Sequence, residues 1–199
     1  MTTTPLPCPV AALVLAAGYS RRFGGDKRKA RWAPERSLLA ASLDLPRAVL
    51  GEVWVVIRPD EQPGDLALPE DVQVIQDALT LHGMGHSIAA SAHQLLKRSS
   101  ADALAIFLGD MPAIRASTLA ALLAEAAPGR IVLPTFDGQP GHPVIFGRDF
   151  WPQLTQLSGD AGARAILQNN SAAVRRIQVD DPGVLQDIDQ PEDLPRAGA

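Results

Sequence analysis

The sequence predicts an α/β fold: a three-layer α/β/α sandwich around a mainly parallel, Rossmann-like sheet. Apolar runs without alternation, such as Val10–Ala17 and Asp102–Leu108, belong to strands covered on both faces. Stretches of helical spacing lie between these runs, and strands alternating with helices give a parallel sheet. No internal repeat, low-complexity tract or linker divides the chain. Its 199 residues, 46% of them hydrophobic, suit one domain over residues 1–199 better than two small cores.

The elements follow in order. Val10–Ala17 is the first strand and closes at Gly18; before it, residues 1–8 read as a flexible, Pro-rich N-terminus. A helix is expected over Ser37–Val49, with Leu38, Leu39, Leu43 and Leu45 apolar and Pro46 ending or kinking it. Glu52–Arg58 and Val72–Ile75 read as the second and third strands. A helix from Ser87 to Leu96 follows Gly85, and Asp102–Leu108 then runs into Gly109-Asp110-Met111-Pro112. Ser117–Ala127 is an Ala/Leu-rich helix. Further strands are expected at Arg130–Pro134, His142–Phe146 and Val174–Val179, with helical stretches at Phe150–Leu157 and Ala161–Gln168.

Charge and cysteine usage exclude several classes. A net charge of −4 and a pI near 5.5 argue against a general nucleic-acid or membrane-surface binder, which wants a basic face. A polyanionic ligand would need a local cluster of positive groups. The single cysteine, Cys8, permits neither an internal disulfide framework nor a thiolate cage, and a cytoplasmic setting is expected. Val10–Ala17 is too short to span a bilayer and lacks the basic segment that precedes a signal-peptide core.

Ligands of open parallel sheets bind beyond the carboxyl ends of the strands, and three segments are expected to meet there. In Leu15-Ala-Ala-Gly-Tyr-Ser-Arg-Arg-Phe-Gly-Gly-Asp-Lys27, Gly18, Gly24 and Gly25 let backbone N–H groups approach a phosphate. Arg21, Arg22 and Lys27 can neutralise a triphosphate. The spacing is neither GxxxxGK[ST] nor GxGxxG. Gly83-Met84-Gly85-His86-Ser87 is a flexible turn at a helix start, where Ser87 can cap and free amides can meet a base or ribose. His86 is given no role. In Gly109-Asp110, an aspartate at a strand end can hold a divalent cation against phosphate oxygens, while the glycine leaves room for a nucleotide.

The first loop resembles the LAAGxSxRxGxxK signature of the molybdopterin nucleotidyltransferases, most closely the molybdenum cofactor cytidylyltransferases. Leu15, Ala16, Ala17, Gly18, Ser20, Arg22, Gly24 and Lys27 carry the match. Gly83-Met84-Gly85 with Ser87 is similar to the family's GMGxSL segment, and Leu108-Gly109-Asp110-Met111-Pro112 to its GDMP motif. Gly141-His142-Pro143-Val-Ile-Phe146 resembles GHPVLF, Ser158-Gly159-Asp160 through Arg164 resembles SGDxGAR, and Asp187-Ile-Asp189 before Pro191-Glu192-Asp193 resembles DIDTPED. The resemblance runs from about Val10 to Leu194. It departs at Lys27-Arg-Lys-Ala-Arg31, basic where relatives are apolar, and at Phe23, where relatives have methionine. The extra charge would grip an anionic acceptor or sit in solvent.

The resemblance implies a nucleotidyltransferase of GT-A-like fold, with residues 10–112 binding nucleotide and 130–194 binding the acceptor. Catalytic roles fall to Arg22, Lys27 and Asp110. Nucleotide contacts come from the first loop, Gly83, Met84, Gly85, Ser87 and Gly109. His142, Pro143, Ser158, Asp160 and Arg164 would line the acceptor pocket. Mg2+, or Mn2+ in its place, would be held by Asp110 with Asp187 and Asp189, which share a face if that segment is a strand. The implied reaction transfers CMP from CTP to the phosphate of molybdopterin; the Ala16-Ala17-Gly18 form leans toward CTP. GTP, another phosphorylated acceptor, and a non-catalytic cofactor-delivery protein are the alternatives. An apo-molybdoenzyme or cofactor chaperone is a further expected partner.

Overall fold

The computed structural model describes residues 8–20 and 22–195. Of the N-terminal segment only Cys8 falls within this range, and it is buried against the core rather than free.

The sheet is built around β1 (Val10–Leu15), which pairs in parallel with β4 (Val53–Ile57) on one side and β6 (Ala103–Leu108) on the other. Beyond β4 lies β5 (Gln73–Gln76), also parallel. Beyond β6 come β9 (Val144–Gly147), β7 (Ile131–Phe136) and β10 (Val174–Gln178), giving the order β10-β7-β9-β6-β1-β4-β5. β9 runs antiparallel to both neighbours, and the short β8 (Gln139–Pro140) is antiparallel to β7, so the sheet is mixed but mainly parallel. A small hairpin of β2 (Arg31–Ala33) and β3 (Arg36–Ser37) stands apart from it.

Alternation along buried strands separates two apolar layers. Ala12, Val14, Val53, Val55, Ala105 and Phe107 face one side, where α1 (Leu38–Val49) and α3 (Ala116–Ala124) cover them through Leu39, Leu43, Leu119 and Leu122. Leu13, Trp54, Val56, Leu104 and Ile106 face the other, covered by α2 (Met84–Arg98), α4 (Trp151–Leu154) and α5 (Arg164–Asn169) through Ile88, Leu95, Trp151 and Ile166. The helices on both faces make the sandwich that the apolar runs predict.

Pro46 and Ser87 act differently from the sequence reading. Pro46 does not end α1, which is capped by the Ser37 side chain accepting from Ala40 N–H and continues to Val49. The missing donor falls in the last turn, where a single bond is lost. α2 starts at Met84, and Ser87 is a residue of the helix rather than its cap. Its N–H and hydroxyl both donate to the Gly83 carbonyl at 3.1 Å.

Candidate active site

The carboxyl ends of β1 and β6 lie side by side, Leu15 opposite Leu108. The Gly109 N–H donates to the Leu15 carbonyl at 3.0 Å. A Cβ on Gly109 would stand 3.0 Å from that oxygen and 3.2 Å from Ala16 Cβ and Leu39 Cδ1. Gly109 therefore serves the close approach of the two strand ends, a use the sequence reading did not assign to it. Above them opens a cleft of about 610 Å3.

The loop after β1 forms one wall. Leu15, Ala17, Gly18, Ser20, Arg22 and Lys27 border the cleft. Ser20 adopts a positive φ of 51°, and its Oγ is buried with no partner among the described residues. Gly24, at φ 73°, turns the loop outside the cleft, and Ala16 is buried beneath it. Arg21 lies outside the described residues.

Within the basic stretch, Arg28 alone does neither of the two things expected. Lys29 and Arg31 are exposed, but Arg28 is 3% exposed and faces neither solvent nor the cleft. Its guanidinium pairs with Asp26 and Glu61 and donates to the Ala16 carbonyl at 2.7 Å. Burial works upward on the Asp26 and Glu61 carboxyls, but the hydrogen bonds and charge of Arg28 outweigh it and hold both below the usual carboxylate range. Depressed carboxyls stay ionised in the folded chain while the unfolded chain takes up protons. Their contribution is thus present above the unfolded value, about pH 4 to 4.5, and is lost as pH falls through the folded values. Melting temperature should accordingly fall on acidification below about pH 4.5, and less steeply in Glu61→Gln. Equal slopes for the two proteins would show that Glu61 does not carry this linkage.

Opposite charges converge at the cleft's centre. Lys27 Nζ lies 2.5 Å from Asp110 Oδ2 and 3.1 Å from Asp189 Oδ1, while Arg22 Nη2 lies 2.7 Å from Asp189 Oδ2. Asp110 Oδ1 is buried without a partner among the described residues. The Ile188 N–H donates to the Asp110 carbonyl at 3.0 Å, fastening the Asp187–Asp189 segment to the β6 turn. That segment is not a strand, so the shared face expected for the pair arises from this anchor and from Asp193, whose carboxylate accepts the N–H groups of Asp189 and Gln190.

Burial, with the charges of Asp189 and Asp110, pushes the Asp187 carboxyl up. Asp189 goes the other way: burial acts upward, but Lys27 and Arg22 hold it low. Burial acts downward on Lys27, and its two aspartates outweigh that and raise it. Carboxylate oxygens are the donors a hard divalent cation takes. The orphaned buried oxygen of Asp110, with Lys27 seated between two carboxylates, fits such an ion. Among the described residues no group of three His, Cys, Asp or Glu side chains is already set for a metal.

The opposite wall holds Gly83, Met84 and Ser87, together with Thr80, Leu81 and His82, which the sequence reading passed over. A Cβ on Gly85 would stand 2.6 Å from the Ser158 carbonyl, and one on Gly83 2.7 Å from that of Gly159. Gly85 N–H donates to the Gly159 carbonyl at 2.7 Å, and Gly159 N–H to His86 Nδ1 at 3.0 Å. These glycines thus let the 158–160 turn close on the start of α2, and His86 has a structural partner after all. Of the acceptor candidates, only Asp160 borders the cleft. Ser158 is exposed, with its backbone carbonyl against Gly85; Arg164 is exposed outside the cleft, and Pro143 is buried. His142 Nδ1 is buried and unpartnered among the described residues. Burial pushes its imidazole down, against the smaller upward effects of the Ile106 backbone and the Asp110 charge.

Comparison with known proteins agrees with this geometry. Residues 12–175 match the MobA-like NTP transferase domain. The chain is 31% identical to the purine catabolism protein PucB of Bacillus subtilis, over 90% of this chain and 91% of PucB. It is 27% identical to the nicotine blue oxidoreductase of Paenarthrobacter nicotinovorans, over 98% and 99%. Among solved structures, a Mycobacterium sp. strain JC1 homologue of Mycobacterium tuberculosis Rv0371c superposes with a TM-score of 0.78 at 28% identity, covering 93% of this chain and 92% of the homologue. Rv0371c in complex with manganese superposes at 0.68 and 23% identity, over 86% and 88%. No helix among the described residues is long and apolar enough to cross a membrane. The chain belongs to the MobA-like NTP transferase family and is a nucleotidyltransferase-type enzyme.

Proposed function

We propose that the protein transfers CMP from CTP to the terminal phosphate of a molybdopterin-type acceptor and releases pyrophosphate. The observation that supports this best is the meeting of Lys27 and Arg22 with Asp110 and Asp189 beside the Gly18 loop. It is a site for a polyanion and a divalent cation on a protein of net negative charge.

The acceptor phosphate is already an anion near neutral pH, so its oxygen can attack the α-phosphorus in line without a side-chain nucleophile. The new P–O bond forms as the bond to the β-phosphate breaks, and the electrons leave with pyrophosphate. What remains for the protein is positioning and charge stabilisation. Gly18 and Ser20 would hold the triphosphate. Arg22 and Lys27 would meet charge on the α-phosphate and the leaving group, while Gly83, Met84 and Ser87 would border the nucleoside. Asp160 is the acceptor-side residue best placed to meet the acceptor in the same cleft. Mg2+ or Mn2+ held by Asp110 and Asp189 would neutralise phosphate charge, and the manganese bound by Rv0371c supports that expectation.

The name of the Paenarthrobacter relative points to redox chemistry, but the GxGxxG spacing of a dinucleotide site is absent from this sequence. The choice of CTP rests on the Ala16-Ala17-Gly18 form. The test is pyrophosphate release from molybdopterin, Mg2+ and each of CTP, GTP, ATP and UTP in turn. Release with CTP alone is expected. Release with GTP moves the protein to guanylyl transfer, and silence with all four excludes this acceptor.

A further inference from the structure

We propose that Arg28 is a positioning residue for the transfer: one buried guanidinium fixes both the start of the phosphate loop and the turn that carries Lys27. The inference rests on the transferase reading above and deepens it.

All five N–H groups of this side chain are used. Nε donates to Asp26 Oδ1 at 2.8 Å and Nη2 to Asp26 Oδ2 at 2.7 Å. Nη1 donates to the Ala16 carbonyl at 2.7 Å and to Glu61 Oε2 at 2.9 Å, and Nη2 reaches Glu61 Oε1 as well. Glu61 Oε2 also accepts the Arg58 N–H at 2.9 Å.

Three chain segments are tied at one point: the end of β1, the turn that holds Asp26 and Lys27, and the connection after β4. Ala16 lies two residues before Gly18, and Asp26 immediately precedes Lys27. A shift of this guanidinium is therefore passed to both ends of the loop that would hold the triphosphate. The same cluster reaches the cleft by a second route. Arg58 lies 3.5 Å from Asp26 and 3.3 Å from Glu61, and its guanidinium stands 4.9 Å from the centre of the Tyr19 ring. Tyr19 is half exposed and borders the cleft.

Lysine in place of Arg28 would keep the charge but not the planar fork. It offers three donors from a single atom and cannot reach two carboxylates and a carbonyl together. Displacements of about 1 Å at a reacting centre cost up to about a hundredfold in rate. A residue that only stabilised the fold would change melting temperature and leave the split between KM and kcat alone.

The test compares wild type, Arg28→Lys and Glu61→Gln, the last keeping shape and removing charge. Arg28→Lys should raise KM for the NTP and lower kcat by about tenfold each, with KM for the acceptor within twofold. Glu61→Gln should move the same way by less. Without any substrate, amide exchange over residues 16–27 should quicken at least tenfold in Arg28→Lys while β1 and α1 keep their protection. Wild-type NTP kinetics in a folded Arg28→Lys, or unchanged exchange in that loop, overturns the proposal. If wild type itself releases no pyrophosphate with any NTP, the molybdopterin reading fails, and the exchange measurement still decides whether Arg28 sets the loop.

Discussion

Lys27→Ala should lose turnover by about 10²- to 10³-fold, as removal of one stabilising donor typically does, while binding Mn2+ more tightly in the absence of nucleotide. The two effects have one cause. In the structure the Lys27 ammonium lies between Asp110 and Asp189, the carboxylates best placed for a divalent cation. Two cations that share the same carboxylates repel, so ion and lysine compete for that position until a triphosphate offers the lysine another anion. Deleting the lysine removes the competitor, leaving Asp110 without its ion pair and Asp189 with Arg22 alone. A gain of about tenfold in Mn2+ affinity is within the ordinary range of coupling between ligands. Titration of Mn2+ by its electron spin resonance signal measures it directly. Unchanged or weaker binding in a folded Lys27→Ala would mean that the ion does not use the position the lysine holds.

Much of this was legible in the residues. β1 and β6 are nearly uniform apolar runs, and a run of that kind leaves few placements other than the centre of a sheet covered on both sides. The loop from Leu15 to Lys27 announces itself because glycines and cations at such density have few structural uses. What stayed hidden was set by tertiary partners. Arg28 reads as one more surface cation because Glu61, the partner that buries it, lies far along the chain and belongs to no pattern. Gly109 was taken as room for a ligand, when its neighbour is the Leu15 carbonyl. Gly85 reads as a local turn residue and Ser158 as part of an acceptor pocket, although a Cβ on Gly85 would meet the Ser158 carbonyl. The Asp187–Asp189 pair was recognised by its resemblance to a DIDTPED ending, and the strand periodicity expected to give it a shared face is absent; an anchor to the Asp110 carbonyl brings it in instead. Local pattern reports burial and turn chemistry well, and reports little about which loops meet.

Asp110→Asn should be the more damaging of the two aspartate substitutions at the site's centre, by a margin that follows from their partners. Asp189 has both oxygens engaged, Oδ1 with Lys27 and Oδ2 with Arg22. Asp110 engages one oxygen with Lys27, and the other is buried with no partner among the described residues. A cation entering the cleft finds a ready lone pair on Asp110 but must displace a guanidinium or an ammonium to use Asp189. An asparagine at 110 keeps the shape and the backbone acceptor for Ile188, yet it is neutral and offers a hard cation one oxygen in place of two. The loss expected is about 10³-fold in kcat, the several kcal/mol a metal-held charge supplies, and raising Mg2+ should not restore it. Asp189→Asn should instead shift the Mg2+ concentration needed for half-maximal rate, because the freed Arg22 and Lys27 remain available to phosphate. Turnover of each variant across a Mg2+ series separates the two cases. If Asp110→Asn is rescued by Mg2+ and Asp189→Asn is not, the order of the two ligands is the reverse of the one the hydrogen bonds imply.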